Sequence, residues 1–398
     1  MMRVFALGGY GTFGRYVSKR LCENDLVTEI VIAGRSLDAA KIFAQELGEK
    51  ATAIRVDVMK EEEVASAAQG SDLMVSIAGP DYRVSYSAAK AAIHAGVHFC
   101  DISADCNNTE RMLGLDSAAK AADVIVLTGI GYAPGETNLL LKHAASKLDV
   151  VEDLRLLLVY NLVGMISFFG VDDPGAAALE MRRTGRVNSS WETVMNWAGG
   201  RVCVFRNRKL IDVDPSKLQE RIDYPGAGEA IFFPIGGTEV VTLPHFLKNV
   251  ESMSFMMSAS PPMIASLYLG LADRIRKGEI APGEATILFH EGVAAREKKA
   301  NVPTSWKEPE IILRAVATGV KDGRRTTYSC WPTWDWMGAP SALAVAALRI
   351  LRGDIKQRGV LAPEACLDPM NFFREAATLV DKDSVNRDLI AESSQALD

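Results

Sequence analysis

GGYGTFGRYV (residues 8–17) follows the apolar run MRVFAL and opens a segment whose apolar residues recur at helical spacing. Glycines 9, 11 and 14 form the pattern GxGxxG. Such a cluster is either a bare tight turn or the phosphate-binding turn of a dinucleotide fold, and its surroundings decide. In a dinucleotide turn, Gly9 makes the bend, Gly11 lets a pyrophosphate approach the backbone, and Gly14 lets helix and strand pack closely. Thr12 and Phe13 open the helix whose N-terminus faces the anion. Three conditions must then hold: a strand before the loop, a helix after it, and an alternation of strands and helices beyond. Arg3 to Leu7 reads as the strand, and the sequence meets all three.

The alternation runs through the first third of the chain. MRVFAL, EIVIAG, TAIRVDV, LMVSIAG, VHFCDIS and DVIVLTG are short apolar strands, and helical patterns such as LDAAKIFAQELG and YSAAKAAIHAG lie between them. Strands apolar on both sides, alternating with helices, specify βαβ units and a parallel sheet. The fold class expected is α/β, a doubly wound Rossmann sheet.

Beyond Gly131 the texture changes. ETNLLLKHAASKL reads as a helix and DLRLLLVYNLV as a strand of different character. EAIFFPI, ESMSFMMS, EATILFHEGVA and IILRAVATGV-KDG-RRTTYSCWPT read as antiparallel strands, with Asp322-Gly323 as a hairpin turn. This is an α+β substrate or dimerisation domain over 136–337, inserted into the Rossmann domain. A small-residue helix from Gly338 rejoins the first unit, giving a discontinuous nucleotide-binding domain over 1–135 and 338–398. The polar tail from Lys382 is expected to fray.

Composition narrows the function. The net charge of −6 and the absence of a Lys/Arg stripe exclude a nucleic-acid footprint. The six cysteines show no CxxC and no zinc spacing, and read as thiols in a reducing compartment. No metal site is expected. SFMMSASPPMIASLYLGLA is interrupted by Pro261 and Pro262, so no membrane span is expected. Met1 to Leu7 runs straight into the glycine loop without a signal-peptide pattern, and a cytoplasmic location is expected.

The second strand reports which dinucleotide fits. About 20 residues past the glycines, NAD-binding turns carry a carboxylate for the ribose hydroxyl. Here IVIAGRS offers Gly34, Arg35 and Ser36 instead. A guanidinium takes a 2′-phosphate in bidentate fashion and a serine hydroxyl adds a donor, so NADP(H) is expected ahead of NAD(H). The competing reading is a solvated Arg35 at a strand end. Asp57 lies where the adenine half would pass, and Ala78, Gly79 and Pro80 where the nicotinamide half would.

GGYGTFG, AGRS, VDV, the AGP loop, AGVHFCDIS, GIGYAPGETNLL and GVLAPEACLDPMNFF occur in an order that resembles the saccharopine dehydrogenase-like oxidoreductases. The resemblance covers both ends of the chain well and the middle through WETVMNWAGGRV and GGTEVVTLP. It implies a Rossmann domain interrupted by a catalytic domain, frequently dimeric, and nicotinamide chemistry at a C–N bond of an amino acid or opine-like amine or imine. The family is broad, so reduction of a C=C or carbonyl bond in an apolar substrate, or NADP(H) binding without turnover, stand as alternatives.

Asp101 ends a strand in FCDIS and reads either as a reacting group or as a turn cap. The resemblance places Tyr82 and Tyr132 at the domain junction. Asn138 and its neighbours begin a helix whose amides suit a carboxylate. Glu239 matches a family glutamate, although Gly236-Gly237-Thr238 replaces the His and Pro that other members carry ahead of it. Arg182, Arg183, Arg324 and Arg325 are candidate carboxylate binders, paired arginines more commonly forming a solvated face. The five histidines give no general base. The methionines between Met253 and Leu271 line either a pocket, a dimer seam or the core.

Overall fold

The computed structural model describes residues 2–224, 228–247, 250–300 and 311–397. Six strands, β1 (Met2–Leu7), β2 (Val27–Gly34), β3 (Ala51–Arg55), β4 (Leu73–Ser76), β5 (His98–Asp101) and β6 (Ile125–Leu127), form a sheet in the order 3-2-1-4-5-6. Every pairing is parallel, with Val4 opposite both Ile30 and Leu73. The order reverses between β1 and β4, and the glycine loop leaves β1 at that switch point. Period-2 alternation splits the strand residues between two cores. Val4, Ala6, Ile30, Ile32 and Val75 face one side, and Phe5, Leu7, Val31, Ala33 and Met74 the other. Both faces are covered by helices, which is why these strands read as unbroken apolar runs.

The second sheet holds β7 (Val150–Asn161), β8 (Cys203–Arg206), β9 (Lys209–Asp212), β10 (Glu220–Tyr224), β11 (Gly228–Pro234), β12 (Ser252–Ser260), β13 (Ile311–Lys321) and β14 (Arg324–Pro332). β15 (Gly359–Leu361) returns to the first sheet beside β6, and β16 (Ile390–Ala396) closes the second sheet against β14. In the second sheet the order is 10-11-12-7-13-14-16, with β8 and β9 attached to β12. The β13–β14 hairpin turns through Asp322 and Gly323, both with positive φ, as Asp-Gly predicts.

Three expectations are corrected. EATILFHEGVA lies in the helix Pro282–Ala300. Ala285, Phe289 and Val293 are fully buried at a spacing of four, a helical period hidden in a continuous apolar run. ESMSFMMS forms β12, antiparallel to β11 and β8 as expected, though parallel to β7. The C-terminal tail does not fray but forms β16. It therefore pairs within the second sheet, whereas all of 338–398 was expected in the first domain. Glu392 holds it, accepting from His143 at 2.5 Å and lying 3.5 Å from Lys147. No described helix is long and apolar enough to cross a membrane.

Candidate active site at the domain junction

The glycine loop is built for close approach. Gly9 N–H donates to the Ala6 carbonyl at 3.1 Å and Gly11 N–H to the Gly8 carbonyl at 3.0 Å, folding the chain sharply after β1. A Cβ on Gly14 would stand 2.2 Å from the Gly8 oxygen, so the helix Thr12–Cys22 seats on the loop only with glycine there. That helix has no side-chain cap and no acidic residue in its first turn. Its first amides are therefore oriented for an anion. A second-domain segment crosses above: Phe169 meets the Phe13 ring edge-on at 6.0 Å, and Gly170 approaches the Thr12 methyl.

At the end of β2, Tyr10 accounts for the glycine that replaces a carboxylate. Its ring lies where a Gly34 Cβ would be, within 2.6 Å, and its hydroxyl accepts from Ser36 N–H at 3.0 Å. Ser36 also caps the next helix, accepting from Ala39 N–H at 3.3 Å. Arg35 is exposed and makes no ion pair or hydrogen bond among the described residues. Asp57 folds its own turn, accepting from Met59 N–H at 3.1 Å. The cradle, the uncapped first turn and the unengaged guanidinium fit a phosphorylated dinucleotide.

The loop after β4 carries Ala78, Gly79 and Pro80 against both neighbours. A Cβ on Gly8 would meet Ala78 N at 2.7 Å, and one on Gly79 would meet Ser189 of the second domain at 2.9 Å. Ser189 begins the helix Ser189–Gly199, which docks along the first domain through polar contacts. Tyr82 donates to Glu192 at 2.6 Å, Thr193 donates to Asp81 at 2.6 Å, and Asn196 donates to Asp105 at 3.1 Å. Burial, reinforced by Glu192, holds the Tyr82 phenol above its ordinary range. Tyr82 thus bridges the domains.

Asp101 is sealed at 1 % exposure. Its Oδ1 accepts from Thr128 Oγ1 at 2.9 Å and Gly129 N–H at 3.1 Å, and burial raises the carboxyl to about 6. These bonds fix the loop after β6, while Oδ2 is buried without a partner among the described residues, so both readings stand.

That loop leads to a buried acidic cluster. The helix Glu136–Ala145 begins after Gly135, whose φ of +126° suits glycine alone. Asn138 accepts from Gly135 N–H at 2.9 Å and donates to Thr242 at 3.1 Å and to Glu364 at 3.0 Å. Thr137 donates to Glu239 at 2.7 Å, and Gly338 N–H donates to Glu136 at 2.7 Å. The GETN, TEVVT and APE segments, distant in sequence, meet here. One oxygen of each of Glu136, Glu239 and Glu364 has no partner among the described residues. Burial raises Glu239 to about 7 and Glu364 to about 6. Burial, then the Glu239 charge, raises the Tyr160 phenol. Burial, then Tyr160, raises that of the half-buried Tyr132.

Residues 4–127 match the family described as the saccharopine dehydrogenase NADP binding domain. Over the full length of both chains the fold is similar to apo saccharopine dehydrogenase (L-Glu forming) from Saccharomyces cerevisiae, with a TM-score of 0.63 at 16% identity. The first domain, over residues 4–127, is saccharopine dehydrogenase-like. That match, with the shared fold, supports an NAD(P)-dependent oxidoreductase. The fold is also similar to homospermidine synthase from Legionella pneumophila in complex with NAD, at 12% identity and a TM-score of 0.56. That match covers 98% of this chain and 91% of the other.

Most of the suggested arginines are already engaged. Arg182 pairs with Glu284 and Glu291, Arg183 with Glu180, and Arg325 with Glu152. Arg324 is exposed in the hairpin. Met253, Met256 and Met257 are buried in the second sheet, so core packing explains them. Tyr10, Tyr160, Glu192 and Glu364 were not singled out in the sequence. Tyr10 lay inside GGYGTFG, Glu192 inside WETVMNWAGGRV and Glu364 inside GVLAPE, whereas Tyr160 lay in none of the noted motifs.

Proposed function

We propose that the protein catalyses NADP(H)-dependent oxidoreduction at a C–N bond of an amino acid or opine-like amine or imine. Glu239 carries this reading. It is a fully buried carboxyl, raised to about 7, with one oxygen unpartnered among the described residues. Amine oxidation and imine reduction both need a group that holds or yields a proton near neutral pH. A nicotinamide supplies or accepts the hydride.

The chain's own residues do the rest. The glycine loop and the first turn of the helix Thr12–Cys22 hold the pyrophosphate, and Arg35 holds the 2′-phosphate. Phe169 and Gly170 cover the loop and exclude water. Tyr82 and Glu192 set the spacing of the domains, Tyr132 faces substrate, and Glu239 stores the proton behind it. Residues 1–135 with 338–389 act as the nucleotide-binding unit, and 136–337 with β16 as the substrate unit. The exposed Ile211 and Ile231 on the second sheet support a homodimer, which light scattering tests.

The test is initial-rate assay with NADP(H) in both directions over a panel of amino acids, opines and amine–oxoacid mixtures, for wild type and Glu239→Gln. Turnover on this panel, with a limb near neutral pH lost in the variant, supports the reading. No turnover on any of these substrates, together with reduction of an enone or a simple carbonyl, removes it.

A further inference from the structure

Cys106 opens the first-domain helix Cys106–Leu113, and Cys203 opens β8 in the second domain. Their sulfurs lie 3.5 Å apart although 97 residues separate them. Among the described residues no other two cysteine sulfurs are recorded in contact. The pair sits inside an ordered interface, with Cys106 at 2 % exposure and Cys203 at 0 %. Around it Asn196 donates to Asp105, the Thr109 and Thr238 hydroxyls meet at 2.9 Å, and Arg201 pairs with Glu110. The Cys106 sulfur also contacts the Gly237 carbonyl at 3.5 Å, two residues from Glu239.

We propose that Cys106 and Cys203 form an oxidative modification site, closing a disulfide that staples the nucleotide-binding domain to the substrate domain. A disulfide needs a sulfur separation of about 2.0 Å, so the sulfurs must approach by about 1.5 Å through side-chain rotation. The oxidant is a hydroperoxide. The Cys106 thiol gives up its proton and its sulfur attacks a peroxide oxygen. The O–O bond breaks, leaving a sulfenic acid and one water. The Cys203 sulfur then attacks the Cys106 sulfur, the S–O bond breaks, and the hydroxyl leaves with the Cys203 proton as a second water. Two thiols and one hydrogen peroxide become one disulfide and two waters. The Cys203 hydrogen bond and burial hold the Cys106 thiol well above its ordinary range, so the pair reacts as the interface opens and not at once.

The full-length protein is treated with hydrogen peroxide, remaining thiols are alkylated, and non-reducing peptides are mapped by mass spectrometry. The expected product is one peptide joining Cys106 to Cys203, with Tm raised by roughly 5 °C. Dithiothreitol should reverse both changes. Cys203→Ala and, separately, Cys106→Ala should lose the cross-linked peptide and the peroxide-dependent rise in Tm. Sulfinic acid at either position without the cross-link, a cross-link elsewhere, or two unchanged thiols after other cysteines have oxidised would each overturn the proposal.

Discussion

Replacing Glu239 by glutamine should make the protein more stable in alkali while impairing turnover. The carboxyl is fully buried and raised from 4.5 to about 7. Ionising it therefore costs roughly 3 kcal/mol more in the folded protein than in the unfolded chain. Relaxation of the site reduces this to about 2 kcal/mol. Because the folded carboxyl holds its proton the more tightly, its contribution is fully present below the ordinary value of 4.5. It declines as pH rises toward about 7, and above that the penalty is constant. Glutamine keeps an acceptor for Thr137 and cannot ionise. At about pH 3.5 the two proteins should unfold together, and at about pH 8.5 the variant should lead by about 2 kcal/mol, or some 4 °C. Glu364, raised to about 6 with the same sign, remains in the variant, so the variant's curve should still fall before flattening. Urea unfolding at each pH, followed by circular dichroism, measures the difference. Parallel curves across the range would refute a buried, proton-holding Glu239.

Arg35→Ala should weaken NADPH binding by about 10- to 100-fold and leave NADH unchanged, the loss expected of charge-assisted hydrogen bonds; fluorescence titration with each nucleotide measures it. Gly14→Ala puts a Cβ 2.2 Å from the Gly8 oxygen and 2.8 Å from Gly9. It should abolish NADPH binding and cost about 2 kcal/mol of stability, read by the same titration and by urea unfolding. Tyr82→Phe removes the 2.6 Å bond to Glu192 and leaves a buried carboxylate without that donor. Calorimetry should show a loss of about 1–3 kcal/mol. Tyr132→Phe should lower kcat more than it raises KM, as steady-state kinetics would show.

The Rossmann sheet was legible because its signals are local. Each strand is short and apolar on both faces, and the glycine loop carries its own steric reason in Gly14. The second domain was less legible where one apolar run suits two periods: the segment with Phe289 and Val293 reads as a strand until its burial repeat is seen. β16 was hidden for the opposite reason. Its exposed residues are polar, and Glu392 gains partners only when His143 and Lys147 arrive from another part of the chain. The same holds for the site. Glu239 and Tyr132 were visible as motif members, whereas Tyr160 is one apolar strand residue among many. Asp101 at a strand end is equally compatible with catalysis and with capping, and its donors Thr128 and Gly129 come from a loop 27 and 28 residues away.

The most direct test of C–N chemistry is the rate of NADPH oxidation with a 2-oxo acid, measured with and without an amino acid as amine partner. The account predicts that NADPH is consumed only when both are present, with a secondary amine as product and a rate that falls in Glu239→Gln. Consumption with the oxo acid alone, unaffected by amine, would contradict it and make the protein a carbonyl reductase.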